Sequence, residues 1–107
     1  MLIAFSVAPS GVGDSVSAAV ADAVAVVRES GLPNHTDAMF TTIEGDWDEC
    51  MDVVKRACDA VARHGERVAL VLKADIRPGR TGEITGKVDR LEAAINRIPA
   101  EHTSPEG

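Results

Sequence analysis

The sequence has no tyrosine, two phenylalanines and one tryptophan. Its apolar core must therefore be built mainly from Ala, Val, Ile and Leu, and few rings remain to touch a flat ligand. Basic residues are nearly missing from residues 1–50, where Arg28 stands alone against eight carboxylates, whereas residues 51–107 carry ten bases against nine acids. With a formal charge of −6 and a pI near 4.9, the chain lacks the basic patches that track phosphates or anionic lipids. Nucleic acid and membrane surfaces are excluded as partners on that ground, and a cationic or neutral ligand fits better. There is no run of about 18 apolar residues to span a bilayer, and residues 1–7 carry no basic leader. The sequence reads as cytoplasmic.

Cysteine is scarce too: Cys50 and Cys58 only. Eight positions apart on a helix, their Cα atoms lie about 12 Å from each other, too far for a disulfide. No Cys-x-x-Cys or His-x-x-x-His spacing occurs, and His35, His64 and His102 fall in unrelated contexts, so neither a metal nor another cofactor is expected. The two thiols are expected as small core residues.

What is present is ordinary globular proportion, with 45% hydrophobic and 26% charged residues in 107, enough for one domain over residues 1–99. Residues 100–107 have the composition of a flexible C-terminal tail. Residues 2–8, Leu-Ile-Ala-Phe-Ser-Val-Ala, are apolar on both faces and stop at Pro9-Ser10-Gly11, which predicts a central strand. Val16, Val20, Val24 and Val27 then mark a helix over Ser15–Ser30, with Asp14 or Ser15 as cap and Gly31 and Pro33 as its stop. Two short extended pieces follow, about 35–38 and 40–45, around a reversal near Met39.

Asp46 and Glu49 form a capping-box pattern ahead of a second helix whose apolar stripe is Trp47, Cys50, Met51, Val54, Cys58 and Val61. Residues 67–77 alternate as a last strand, Pro78–Gly82 is a loop, and Ile84, Val88, Leu91, Ile95 and Ile98 mark a third helix ended by Pro99. The order predicts an α+β, ferredoxin-like βαββαβ sandwich: a four-stranded antiparallel sheet with two helices on one face, plus a C-terminal helix. The other sheet face would carry Leu2, Ala4, Ser6, Ala8, His35, Asp37, Phe40, Thr42, Glu44, Ala69, Val71, Lys73 and Asp75. That set is too apolar to be wholly wet and too polar to be core, as expected either of a surface that meets another copy and leaves a polar pocket or of a partner-binding surface.

Catalytic patterns are absent. Gly11-Val12-Gly13-Asp14-Ser15 lacks the third glycine of a dinucleotide loop and the lysine of a P-loop, and Asp14 would repel an anion. No nucleophile stands at a diagnostic spacing from a base, so no enzyme is expected. The carboxylates are more informative. Asp37 and Glu44 are expected on adjacent strands facing the same way, with Asp75 on the last strand; such groups can accept from an exocyclic amine or pair with a ring cation, as in an aminopyrimidine or a thiazolium. Ser6 and Thr42 would add neutral hydrogen bonds, and Phe40 is the ring left to stack, Phe5 and Trp47 being assigned to packing. A cross-strand Glu44–Lys73 ion pair is the plainer alternative.

The opening strand into Pro9, Ser15-Val16-Ser17, Ser30-Gly31-Leu32, Met39 through Thr41 to Ile43-Glu44-Gly45, Asp75-Ile76-Arg77 and Lys87-Val88 resemble, in order and spacing, the small thiamine-binding, YkoF-like family. The resemblance covers residues 2–98. It implies a cytoplasmic, non-catalytic homo-oligomer of sheet-to-sheet dimers that pair into a homotetramer and bind thiamine or its hydroxymethylpyrimidine part near the subunit interface. It also implies that Ser17, Thr41, Glu44 and Asp75 carry the motif positions. Phe40 departs from the glycine usual after Met, and either blocks the pocket or lines it. The alternative is a structural or regulatory oligomerisation module with no small-molecule ligand.

Overall fold

The computed structural model describes residues 1–11, 16–79 and 81–98. Strand β1 (Leu2–Ser10), helix α1 (Val16–Glu29), strands β2 (Asn34–Thr36) and β3 (Thr41–Glu44), helix α2 (Trp47–Ala62), strand β4 (Arg67–Asp75) and helix α3 (Glu83–Asn96) follow in order. The strands form one antiparallel sheet in the order β2-β3-β1-β4, so the apolar first segment is indeed central. The predicted α+β ferredoxin-like sandwich with a third helix is what the chain adopts. Val12–Ser15, with the expected α1 cap and most of the glycine loop, lies outside the described residues, as does the expected tail.

Along β1 the pleat sends Ile3, Phe5 and Val7 into the core, while Leu2, Ala4, Ser6 and Ala8 on the other face are only half-buried. Ile43 opposes Ile3 on β3, and Val27 from α1 with Cys50, Val53, Val54, Ala57 and Val61 from α2 complete the buried cluster. Each large aliphatic side chain enclosed this way contributes about 1.5–3 kcal/mol. The buried line of α1 differs from the expected valine stripe: Ala19, Ala23 and Val27 are inside, whereas Val16 and Val20 are exposed at the margin. Alanine, with only a Cβ, suits close packing against a neighbouring helix, and α1 packs against α2. His64, just past α2, also ties the two helices by pairing its Nε2 with Asp22 Oδ2 at 2.6 Å.

Several element ends differ from their predicted places: β1 runs on through Pro9 to Ser10, and β2 starts at Asn34. β2 is three residues and β3 four, because Asp37–Phe40 is a turn, and β4 stops at Asp75, leaving Ile76 exposed. The open sheet face is uncovered: Ala69, Val71 and Lys73 of β4 are exposed on it. Beyond its first turn α3 runs clear of the core, with Glu83 its single buried residue. No helix is long and apolar enough to cross a membrane among the described residues.

Candidate functional site

Leu2 at the start of β1 pairs with Glu44 on one side and Asp75 on the other, so both carboxylates share the open face at one end of the sheet. Both already have partners. The first turn of a helix presents amide groups with no intrahelical acceptor and the positive end of the helix dipole. In α3 the cap position is Gly82, which offers no side chain. Glu44 supplies the acceptor from across the sheet: the Glu83 N–H donates to its two oxygens at 3.0 and 2.9 Å, with a longer contact from the Ile84 N–H at 3.4 Å. One turn on, Lys87 Nζ donates to Asp75 Oδ2 at 2.5 Å. That hydrogen bond holds the Asp75 carboxyl below its ordinary value of 3.8. Arg90 closes the set by donating to Glu83 Oε2 at 2.9 Å. The Glu44–Lys73 pair does not form; Lys73 stands opposite Ala4.

At the other end of the sheet, Ser6, Asp37, Phe40 and Thr41 line a cleft of about 260 Å³ together with the α1 valines 16, 20, 24 and 27. Asp37 is not on a strand beside Glu44. It closes the β2–β3 turn, its Oδ1 accepting from the Met39 and Phe40 amides at 2.8 and 2.9 Å, and these two bonds keep its carboxyl below the ordinary 3.8. Phe40 accordingly sits in the turn rather than on the open face, and it lines the cleft against α1. Thr41 faces the core and shares a hydrogen bond with the Thr36 hydroxyl at 3.2 Å. Ser17 is exposed on the first turn of α1, and Thr42 lies on the open face opposite Ala4 and His35. The eight candidate residues thus fall into separate places, four of them around this cleft.

A larger groove, about 970 Å³, opens beside Glu44, between the end of the sheet and the β4–α3 connection. Met1, Leu32, Trp47, Ile76 and Ile84 give it an apolar lining, and Asp46, Glu49 and Arg77 stand on its rim. Trp47 is 55% exposed here, against the expectation that it packs in the core. Its spacing to Cys50 is helical, but α2 begins at Trp47, one turn before the helix reaches the core residues Cys50, Val53 and Val54. The ring therefore overhangs the end of the sheet. The predicted capping box forms, with the Asp46 side chain accepting from the Glu49 N–H at 2.8 Å and Glu49 accepting from the Asp46 N–H at 3.0 Å. Gly45 is needed here, since a Cβ would lie 3.2 Å from Glu49 Oε1 and 3.3 Å from Cys50 Sγ. Acidic side chains and one exposed indole are what a flat cation recognises.

Comparison with known proteins agrees with this reading of the fold. A family model described as "Thiamine-binding protein" matches residues 3–92. The chain belongs to the thiamine-binding protein family. It is similar to the UPF0045 protein Mb1933 of Mycobacterium bovis, with 55% identity over 91% of this chain and 96% of that one. The crystal structure of MJ1052 from Methanocaldococcus jannaschii superimposes with a TM-score of 0.77 at 34% identity, covering 85% of this chain and 94% of the other. A Bacillus cereus domain of unknown function gives 0.70 at 37% identity, covering 78% and 83%.

Three residues from the family stretches, Glu44, Asp75 and Lys87, act together in the structure, because their side chains hold α3 to the sheet. The family's Met39–Thr41 stretch is the β2–β3 turn at the smaller cleft. Trp47 is a groove residue that sequence reasoning had assigned to packing; its place directly after the capping aspartate was the available signal. Among the described residues no group of three or more His, Cys, Asp or Glu is arranged to hold a metal, and the two cysteines are free thiols whose titration burial pushes up.

Proposed function

We propose that this chain binds thiamine, or its hydroxymethylpyrimidine part, as a non-catalytic cytoplasmic homo-oligomer, and that the groove beside Trp47 takes the ligand. The observation that carries the reading is the exposed indole of Trp47 inside an apolar groove rimmed by Asp46 and Glu49. A thiazolium ring over the indole face gains about 0.5–2 kcal/mol of cation–π attraction, and a carboxylate accepts from the exocyclic amine of the pyrimidine. The groove volume of about 970 Å³ suits a two-ring ligand; small-molecule sites span roughly 300–1,000 Å³. The smaller cleft admits one ring at most, with Phe40 already at its wall, so Ser6, Asp37 and Thr41 are proposed for the pyrimidine part alone. Oligomerisation is supported by the uncovered sheet face around Ala4, Ala8, Ala69 and Val71, which the sheet of a second copy would cover; two such dimers give the tetramer.

Because Trp47 is the sole tryptophan, its fluorescence reports on the groove directly. Thiamine should quench it saturably, calorimetry should lose about 2- to 30-fold in affinity on Trp47→Ala, and Phe40→Gly should retain binding. Absence of both quenching and heat up to millimolar thiamine or hydroxymethylpyrimidine would sink the proposal. The second reading, an oligomerisation module without a ligand, is favoured by one observation: Glu44 and Asp75 are engaged in holding α3. It predicts that Glu44→Ala or Asp37→Ala changes the mass seen by light scattering while no ligand shifts the melting temperature.

A further inference from the structure

Beyond its first two turns, helix α3 stands away from the rest of the described chain. Its apolar positions Val88, Leu91 and Ile95 are 55%, 58% and 44% exposed, as is Ile98 just past its C-cap at 42%, and it is held to the domain by Glu44, by Lys87–Asp75 and by half-buried Ile84. An isolated helix of this length, 14 residues, is marginal in water unless an apolar face is packed. Within α3 the stripe Ile84, Val88, Leu91, Ile95 advances by four, three and four residues, a narrow line that matches the a/d spacing of a two-helix seam. Val88 and Ile95 take the a positions of such a seam, and Ile84 and Leu91 the d positions.

We infer that α3 packs antiparallel against α3 of a second copy of this chain. The direction follows from what each end of the stripe meets. Ile84 lines the groove of its own domain, so a partner helix running parallel would bring its own domain onto that end, whereas an antiparallel one enters from the free end at Ile98. In the antiparallel seam a positions face d positions, which sets Val88 against Leu91 of the partner subunit and Ile84 against Ile95 of the partner subunit. The flanking residues then meet without like charges: Thr85 lies beside Glu92 of the partner subunit, and Lys87, still bonded to Asp75, beside Ala94 of the partner subunit. The helix dipoles oppose each other favourably. The seam is separate from the sheet-to-sheet contact, and at its Ile84 end it adjoins the groove.

The test is mass in solution, by light scattering on the full chain. Leu91→Glu puts a charge at a position exposed in the single chain, so the melting temperature of the domain should hold while the assembled mass falls by half. Val71→Arg, on the open sheet face, should act independently and lower the mass further when combined with it. Direction is read by oxidising cysteine variants: a mixture of Val88→Cys and Leu91→Cys chains should form a disulfide-linked dimer faster than either variant alone. A monomeric wild type, a wild-type mass for Leu91→Glu, or faster linkage in Val88→Cys alone would overturn the inference.

Discussion

Replacing Glu44 by alanine should release α3 while leaving the domain folded. The carboxylate is 6% exposed and accepts from the Glu83 N–H with both oxygens and from the Ile84 N–H. A hydrogen bond to a charged acceptor contributes about 1.5–3 kcal/mol, and a negative charge at a helix N-terminus adds about 0.3–1 kcal/mol. The substitution therefore weakens the α3 junction by about 2–4 kcal/mol, roughly 30-fold to several-hundredfold in the opening equilibrium. What remains is an exposed ion pair and the half-buried Ile84, too little to hold the helix. The core cluster of Ile3, Ile43, Val27 and Val61 lies elsewhere, so the denaturant midpoint should move little. Hydrogen exchange at low protein concentration separates the two quantities: amides of residues 83–90 should lose protection by that factor, those of β1 should not, and Glu44→Gln, which keeps one acceptor oxygen, should fall between. Unchanged exchange at Glu83 and Ile84 in Glu44→Ala, or loss of α3 only together with β1, would refute the reasoning.

Much of the fold was legible because its signals are local and repeated. The short apolar run of β1 and the capping box before α2 each fix an element without reference to anything distant. The strand ends were less legible, because Asp37 looks like a strand carboxylate until its Oδ1 is seen to accept from Met39 and Phe40, and turn chemistry of that kind overrides β-propensity. The candidate site was the least legible part. Glu44, Asp75 and Lys87 all lie in stretches that the sequence singles out, yet their partners are α3 backbone and each other, 39 and 12 residues apart, and no local spacing announces such a contact. Trp47 failed for a related reason: helical periodicity gives the face of a residue but not how far along the helix the sheet extends beneath it.

Asp46→Ala should cost about 1 kcal/mol, read as a lower denaturant midpoint; no change would mean that the Asp46–Glu49 box contributes nothing. Ile3, fully buried on the central strand, should cost about 2–5 kcal/mol as Ile3→Ala, a loss that chemical denaturation would register. Cys50, with no exposed surface and its titration pushed up by burial, should react with a thiol reagent at pH 7.5 only at the rate of unfolding, after half-buried Cys58 has been labelled; fast labelling of both thiols in the native protein would contradict the burial of Cys50. The acid limb of stability should belong to Asp37 and Asp75. Each carboxyl is held below 3.8 in the folded chain, Asp37 by the Phe40 and Met39 amides and Asp75 by Lys87. A depressed folded-state value means that the unfolded chain binds the proton first, so the stabilisation is whole above 3.8 and is lost as pH falls below it. Asp75→Asn should therefore remove part of the pH dependence of α3 protection, and Asp37→Asn part of that of the β2–β3 turn. If the single variants keep the wild-type acid slope in both segments, the proton uptake lies elsewhere and neither hydrogen-bond set is the cause.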